Sequence, residues 1–290
     1  MDNETITGTT RLCGLIGSPV AHTMSPAMHN AAFRALGLDY VYLPFRVAPE
    51  DLPDALDGLR ALDARGFNVT MPHKATCIPF LDGLDAVAER IGAVNTVVNN
   101  GGELRGYNTD AEGFLRSLTE RDIPLAHRNV VIIGAGGAAR AVAYVLAREE
   151  AYLTVLNRTP GAAEEVAEMI EDGFGQRVPS FPLEEDALME ALRDAHILVN
   201  TTSVGMSPAG EASPVPARLL RPDLTVCDVV YNPGRTPLLA AAEAAGAATV
   251  SGVEMLVWQG ALAFELWTGV EAPFGLMRDT VIELLQRHED

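Results

Sequence analysis

Lysine is almost absent from this chain. Twenty arginines and a single lysine, Lys74, make up its 21 basic side chains, against 39 acidic ones, for a formal net charge of −18. That balance excludes nucleic acid and anionic membrane surfaces as general partners, while a locally positive pocket can still take a small anion. Cysteine is nearly as scarce. Cys13, Cys77 and Cys227 are odd in number, far apart and form no C-x-x-C, which excludes a disulfide framework or a zinc site and predicts buried, reduced thiols. His22, His29 and His73 do not stand at ligand spacing, so no metal is expected. No apolar run reaches the length of a membrane-spanning helix. The opening MDNETITGTT has neither the basic start nor the apolar stretch of a signal peptide, so the expected location is the cytoplasm. There is no repeat, no low-complexity tract and no Gly/Ser linker.

What is present is a globular composition, 48% apolar and 21% charged over 290 residues, long enough for two domains. RLCGLIG reads as a strand ending in Gly17. Ser25 is expected to cap a helix with Pro26 at its first position, and Met28, Ala31, Ala32 and Ala35 follow at helical spacing. DYVYLPFRV reads as strand, Glu50 to Ala64 as an amphipathic helix, GFNVT as a short strand running into Pro72, and AVNTVVN as a strand closed by the turn NNGG. Strands separated by helices predict an α/β domain. A second unit begins near Asp110. NVVIIGAGGAARAVAYVLA is strand, glycine turn and helix; AYLTVLNR, HILVNTT, LTVCDVV and ATVSG are further strands, with helices near Pro160–Asp172 and Pro237–Ala245. The pattern is doubly wound. After Gly252 come two long helices, the first apolar on nearly every face and therefore expected to be buried, returning to the first domain.

GAGGAA, formed by Gly134, Ala135, Gly136, Gly137, Ala138 and Ala139, fits G-x-G-x-x-A between a strand and a helix. The tight turn and the close approach of backbone to a pyrophosphate need Gly134 and Gly136, and the helix start supplies positive potential. The next strand ends in Asn157-Arg158-Thr159, where an acid would stand for a free ribose hydroxyl. A guanidinium and a hydroxyl suit a 2′-phosphate, so NADP is expected over NAD. Against this stands a solvated strand-end arginine beside a merely tight turn.

Lys74 follows Asn68, Thr70 and Pro72 at a strand end. Where only charge is needed this chain uses arginine, and what arginine cannot do is lose its proton near neutral pH. A retained lysine points to proton transfer or a compact point charge; chance survival of one lysine is the bland alternative. GYNTDAEGF places Asn108, Thr109 and Asp110 at a helix start, a natural capping sequence. Capping does not account for Asn95, a polar residue in the otherwise apolar AVNTVV. Thr23 and Ser25 put two hydroxyls before a helix start, an arrangement suited to a carboxylate.

HTMSPAMHN, NVTMPHK, GAVNTVV, GYNTDAEGF, GAGGAARA, NRT, NTTSVGM, YNPGRTPLL and GVEMLVWQGALAFELW, in this order, make the chain resemble the shikimate dehydrogenase family over almost its whole length. The resemblance implies an α/β substrate domain at 1–109, an NADP-binding Rossmann domain at 110–252, and helices at 253–290 that pack back on the substrate domain. It implies reversible NADPH-dependent reduction of 3-dehydroshikimate to shikimate, a step of aromatic amino acid (chorismate) biosynthesis, by a monomer or homodimer acting on a small molecule. Lys74 and Asp110 match the family's catalytic pair. Thr23, Ser25 and Thr70 match substrate-binding positions, Asn95 and Gln259 match groups holding the ring hydroxyls, and Tyr231 matches a tyrosine near the substrate carboxylate. Gly252 and Met255 match positions beside the nicotinamide.

Two departures stand out. Thr23-Met24-Ser25 replaces the family's usual Ser-x-Ser, adding a methyl near the carboxylate end, where quinate carries its extra hydroxyl. Gly161 and Ala162 stand where many NADP-specific members have a second basic residue. These leave open a quinate/shikimate dehydrogenase with relaxed NAD(P) use. A non-catalytic sensor for shikimate-like ligands need not keep Lys74 and Asp110 together. A methyltransferase would place an acid where Arg158 stands.

Overall fold

The computed structural model describes residues 6–207 and 210–289, so the first half of MDNETITGTT lies outside the described residues. Contacts divide the chain into two units. One is formed by the residues up to Thr109 together with Val257–Leu284, the other by Asp110–Leu256 and the residues from Leu285 on.

The first unit alternates strands and helices as the sequence predicts: β1 (Arg11–Gly17), α1 (Ser25–Ala35), β2 (Tyr40–Arg46), α2 (Leu52–Ala61), β3 (Gly66–Val69), the one-turn α3 (His73–Thr76), β4 (Gly83–Leu84), α4 (Ala86–Ile91), β5 (Thr96–Asn100) and β6 (Glu103–Tyr107). The sheet order is β2-β1-β3-β5-β6-β4. β1 runs parallel to β2 and β3, whereas β5 is antiparallel to both β3 and β6. The β5–β6 hairpin turns through Gly101 and Gly102, with φ of 64° and 97°, a conformation that glycine adopts without steric cost. Ile16, Leu52, Leu56, Phe67, Val69, Val97 and Leu104 pack into one apolar core. Gly66 lies under the indole of Trp267, where any Cβ would collide with the ring, and the indole N–H donates to the Val97 carbonyl at 3.0 Å.

The second unit runs α5 (Asp110–Thr119), β7 (Asn129–Ile133), α6 (Gly137–Arg148), β8 (Tyr152–Asn157), α7 (Pro160–Phe174), β9 (Ser180–Pro182), α8 (Glu185–Arg193), β10 (Ile197–Asn200), β11 (Thr225–Asp228), α9 (Pro237–Ala244) and β12 (Ala248–Val250). Its sheet order, β12-β11-β10-β7-β8-β9, is parallel throughout. This is the doubly wound order in which the chain reverses direction between β7 and β10, opening a crevice at the strands' carboxyl ends. Central strands buried on both faces explain the continuous apolar runs NVVII and HILV. Two long helices follow, α10 (Gly252–Thr268) and α11 (Phe274–Glu289). On α10, Val253, Met255, Val257, Ala261, Ala263, Phe264 and Trp267 are all buried, as its apolar circumference predicts. None of the described helices is long and apolar enough to cross a membrane.

Two local expectations are corrected. Ser25 is the first helical residue of α1 rather than its cap; Met24 holds the cap position and makes no side-chain cap bond. The hydroxyl that serves the helix start is that of Thr23, which accepts from the Ser25 N–H at 3.3 Å. Asn95 lies one residue before β5 rather than within it, and its side chain accepts from the Thr109 N–H.

Candidate active site

In the first unit the lysine turn is pinned from several sides. The Lys74 carbonyl accepts from the Val94 N–H at 2.7 Å, the His73 N–H donates to the Thr70 carbonyl at 2.9 Å, and the Thr70 N–H donates to the Ile16 carbonyl at 2.9 Å. His73 is fully buried, and its Nε2–H donates to the Val47 carbonyl at 2.8 Å. Four residues make a poor helix by themselves; these tertiary bonds hold α3 in place, leaving the Lys74 side chain half-buried at the carboxyl end of β3.

Beside this turn lies a buried cluster of neutral polar groups. Asn95 Nδ2 donates to Thr109 Oγ1 at 2.9 Å and to Gln259 Oε1 at 3.3 Å, while Asn95 Oδ1 accepts from the Thr109 N–H at 2.7 Å. Asn68 Nδ2 donates to Thr96 Oγ1 at 3.0 Å and to the Asn95 carbonyl at 3.1 Å. The Tyr42 hydroxyl donates to Asn68 Oδ1 at 2.7 Å. Buried amides are tolerated only when so satisfied, and the cluster joins residues from β2, β3, β5 and α10. Thr23, Ser25, Thr70, Asn95 and Gln259 thus belong to the same unit as Lys74. Tyr42 is an addition, a single polar residue in an apolar strand with no distinct signal; Asn68 and Thr109 stand out in the sequence beside Lys74 and at a helix start, without a sign that they join Asn95.

Next to the cluster His29 is fully buried, and neither ring nitrogen has a hydrogen-bond partner. Its ring stacks on Tyr42 at 4.5 Å and lies near Trp267 at 5.3 Å. Burial without a partner holds this imidazole neutral, its pKa lowered to about 3. Among the described residues no group of three His, Cys, Asp or Glu side chains could hold a metal.

Asp110, Tyr231, Gly252 and Met255 belong to the second unit with the glycine turn. Asp110 opens α5 and is buried. Gly134 follows β7 with φ of 111°, and a Cβ there would strike Thr201 at the end of β10. At Gly136 the equivalent space is open, with no heavy atom within 4 Å. The turn is therefore closed on its protein side at Gly134 and open to a ligand at Gly136, the shape a pyrophosphate needs above the start of α6. Arg158 and Thr159 are exposed where β8 gives way to α7, and the Asn157 amide donates to the Thr159 carbonyl at 3.0 Å. Gly161 is likewise open. The residues present fit NADP.

Polar groups the sequence reading passed over gather at the ends of β10 and β11: Asn200, Thr202, Asp228 and Thr236. The signal was there, since a carboxylate inside the apolar strand LTVCDVV demands a reason as much as Asn95 does.

Family models cover most of the chain: one described as "Shikimate dehydrogenase substrate binding domain" matches residues 15–97, one described as "Shikimate / quinate 5-dehydrogenase" matches 117–208, and one described as "Shikimate 5'-dehydrogenase C-terminal domain" matches 252–282. The shikimate dehydrogenase (NADP(+)) of Methanopyrus kandleri is 52% identical over 281 residues, covering 96% of this chain and 97% of that protein. A solved shikimate dehydrogenase in complex with NADP+ superposes with a TM-score of 0.91 at 42% identity, covering 97% of this chain and 98% of its own. The shikimate 5-dehydrogenase of Listeria monocytogenes, solved with shikimate and NAD, gives a TM-score of 0.87 at 42% identity, covering 97% and 98%. With its motifs in order, its second sheet doubly wound and this likeness running nearly end to end, the chain belongs to the shikimate dehydrogenase family.

Proposed function

We propose that this chain is an NADP-dependent oxidoreductase that reversibly reduces 3-dehydroshikimate to shikimate in aromatic amino acid biosynthesis. The observation that carries the reading is that a chain of this family keeps its one lysine on a turn pinned by tertiary bonds, beside a fully satisfied neutral polar cluster. Residues 1–109 form the substrate domain, 110–252 the NADP domain, and 253–290 the closing helices. NADP is held by Gly134, Ala135, Gly136, Gly137 and Ala138 at the pyrophosphate, and by Asn157, Arg158 and Thr159 at the 2′-phosphate. Gly252 and Met255 lie beside the nicotinamide.

Bound NADPH supplies hydride to the substrate's C3 carbonyl carbon. The Lys74 ammonium stabilises the charge developing on the carbonyl oxygen and gives it a proton, and arginine could supply only the first because it does not release its proton. Asp110 orients the ammonium and couples its proton to the neighbouring hydroxyl. Thr23 and Ser25 take the carboxylate, with Tyr231 close to it, Thr70 binds the substrate beside them, and Asn95 and Gln259 hold the ring hydroxyls. Amides suit that last task, since they donate and accept without titrating. The enzyme works in the cytoplasm as a monomer or homodimer, on a small molecule and without a metal.

A second reading is a quinate/shikimate dehydrogenase that also accepts NAD, favoured by the threonine at position 23 and the open space at Gly161. Steady-state oxidation of shikimate and of quinate, each with NADP and with NAD, separates the two. Shikimate with NADP is expected to give the highest kcat/KM; faster turnover of quinate with NAD would overturn the first reading.

A further inference from the structure

The strands of the second sheet end in a relay of hydrogen bonds that converges on one buried carboxylate. The Val204 N–H donates to Thr202 Oγ1 at 3.2 Å, Thr202 Oγ1 donates to Asn200 Oδ1 at 2.7 Å, and Asn200 Nδ2 donates to Asp228 Oδ1 at 2.9 Å. From the other side the Leu239 N–H donates to Thr236 Oγ1 at 3.3 Å, and that hydroxyl donates to Asp228 Oδ2 at 2.6 Å. The Val230 N–H adds a third donor to Asp228, at 3.0 Å. Asn200, Asp228 and Thr236 are buried to within 2% of complete. Among the described residues no arginine or lysine pairs with the carboxylate. A charge is thus buried on neutral donors alone, an expensive arrangement that an apolar residue would avoid.

The relay ends where the cofactor's second half is expected. In a doubly wound sheet each half binds one mononucleotide, and β10, β11 and β12 make the half opposite the glycine turn. Gly252, at the start of α10, sits directly on the backbone that Asp228 fixes: a Cβ there would lie 2.6 Å from the Val229 carbonyl carbon and 2.7 Å from the Val230 oxygen.

We propose that Asp228 is a positioning residue for the nicotinamide end of the cofactor site, its carboxylate drawing the ends of β10 and β11 and the first turn of α9 into one rim on which Gly252 rests. The inference depends on the reading of this unit as the NADP unit. The ionised acid accepts all three donors; protonation puts a fourth hydrogen among them and removes the charge that draws them together. Burial raises the carboxyl to about 6 despite those donors. Charged and titratable groups on the surrounding elements are Cys227 on the same strand, its thiol pushed up to about 12 by burial, the Arg121–Glu254 pair at 3.9 Å between the residues after α5 and α10, and the exposed Arg235–Glu243 pair reaching α9.

The test compares Asp228→Asn with the wild-type full chain, titrated with NADPH and with adenosine 2′,5′-bisphosphate, which lacks the nicotinamide. The variant is expected to weaken NADPH about 10–100-fold, from one or two donors left facing an amide, while the bisphosphate changes by less than about twofold. A purely structural role would move both ligands together, and unchanged NADPH affinity would overturn the inference. In wild type the ratio of NADPH affinity to that of 2′-phospho-ADP-ribose should fall between pH 7 and 5, since the two share the 2′-phosphate and the pyrophosphate and titrate alike; a flat ratio overturns it even if the variant does not fold. Without ligand, the carboxyl's folded value lies above its ordinary 3.8, so its contribution to stability is present at low pH and lost as pH rises through 6. The variant's melting temperature relative to wild type should therefore climb from pH 5 to 7. Wild type that binds the bisphosphate and NADPH not at all would sink the NADP reading instead.

Discussion

Each unit buries a polar cluster at the ends of its central strands, and the two are built from different chemistry. The cluster around Asn95 consists of amides and hydroxyls whose donors and acceptors match one another. The cluster around Asp228 consists of donors aimed at one anion. The first is indifferent to protons, while His29 close by adds a response to acid. Because that ring is held neutral well below its ordinary value, the first unit loses stability in acid as the unfolded chain takes up the proton, while Asp228 gives the second unit a contribution of opposite sign. A binding surface meant to hold hydroxyls can be kept neutral, whereas a rim that gathers an amide, a hydroxyl and a backbone N–H from three segments needs an acceptor with more capacity than an amide.

The largest effect expected tests the first unit's one lysine. Lys74→Ala should lower kcat about 10²–10⁴-fold with the melting temperature and NADPH affinity unchanged; undiminished turnover would remove Lys74 from the chemistry. Next, Asn95→Leu leaves the Thr109 N–H without a partner in the interior and should cost about 1–3 kcal/mol. Denaturant melts should find that loss constant from pH 5 to 8, and a marked pH dependence would break the contrast between the clusters. Arg158→Ala should raise KM for NADP about 10–100-fold through loss of charge-assisted hydrogen bonds and leave KM for NAD nearly unaltered; equal changes for both would show that Arg158 does not read the phosphate. The smallest effect concerns His29→Phe. The His29 contribution is complete above about pH 6.5 and is lost as pH falls toward 3, so the variant should be more resistant to acid. Parallel acid melts of the two proteins would show that the buried imidazole is not the source of the slope.

Much of this organisation could be read in the sequence, for reasons that differ along the chain. β1 and the β7–α6 turn were legible because apolar runs ending in glycine have few other conformations available. The β5–β6 turn was legible in NNGG, but its return strand ELRGY was not: half of it faces solvent, leaving little apolar signal. β9 and α8 were missed likewise, β9 being a three-residue edge strand that ends in proline and α8 a strongly charged helix. The family, the doubly wound fold and the cofactor followed from ordered motifs. The Asp228 relay did not, because its members come from β10, β11 and α9, and nothing in one segment announces partners in another. Ser25 was misjudged as a cap because Thr23, two residues earlier, had already taken the bond.

Trp267 sets a timetable for the first unit. Its indole covers Gly66 and bonds Val97, and Gly260 on the same helix admits Met28 where a Cβ would collide. These are core positions of a unit whose other residues end at Thr109, yet they are translated only after the whole second sheet. At about 5–20 residues per second, a ribosome takes roughly 8–30 s to supply them. Through that interval β3 and β5 wait with an apolar face uncovered, while the second unit, whose sheet is contiguous in the chain, can finish first. The second sheet can therefore form while the first still lacks its cover.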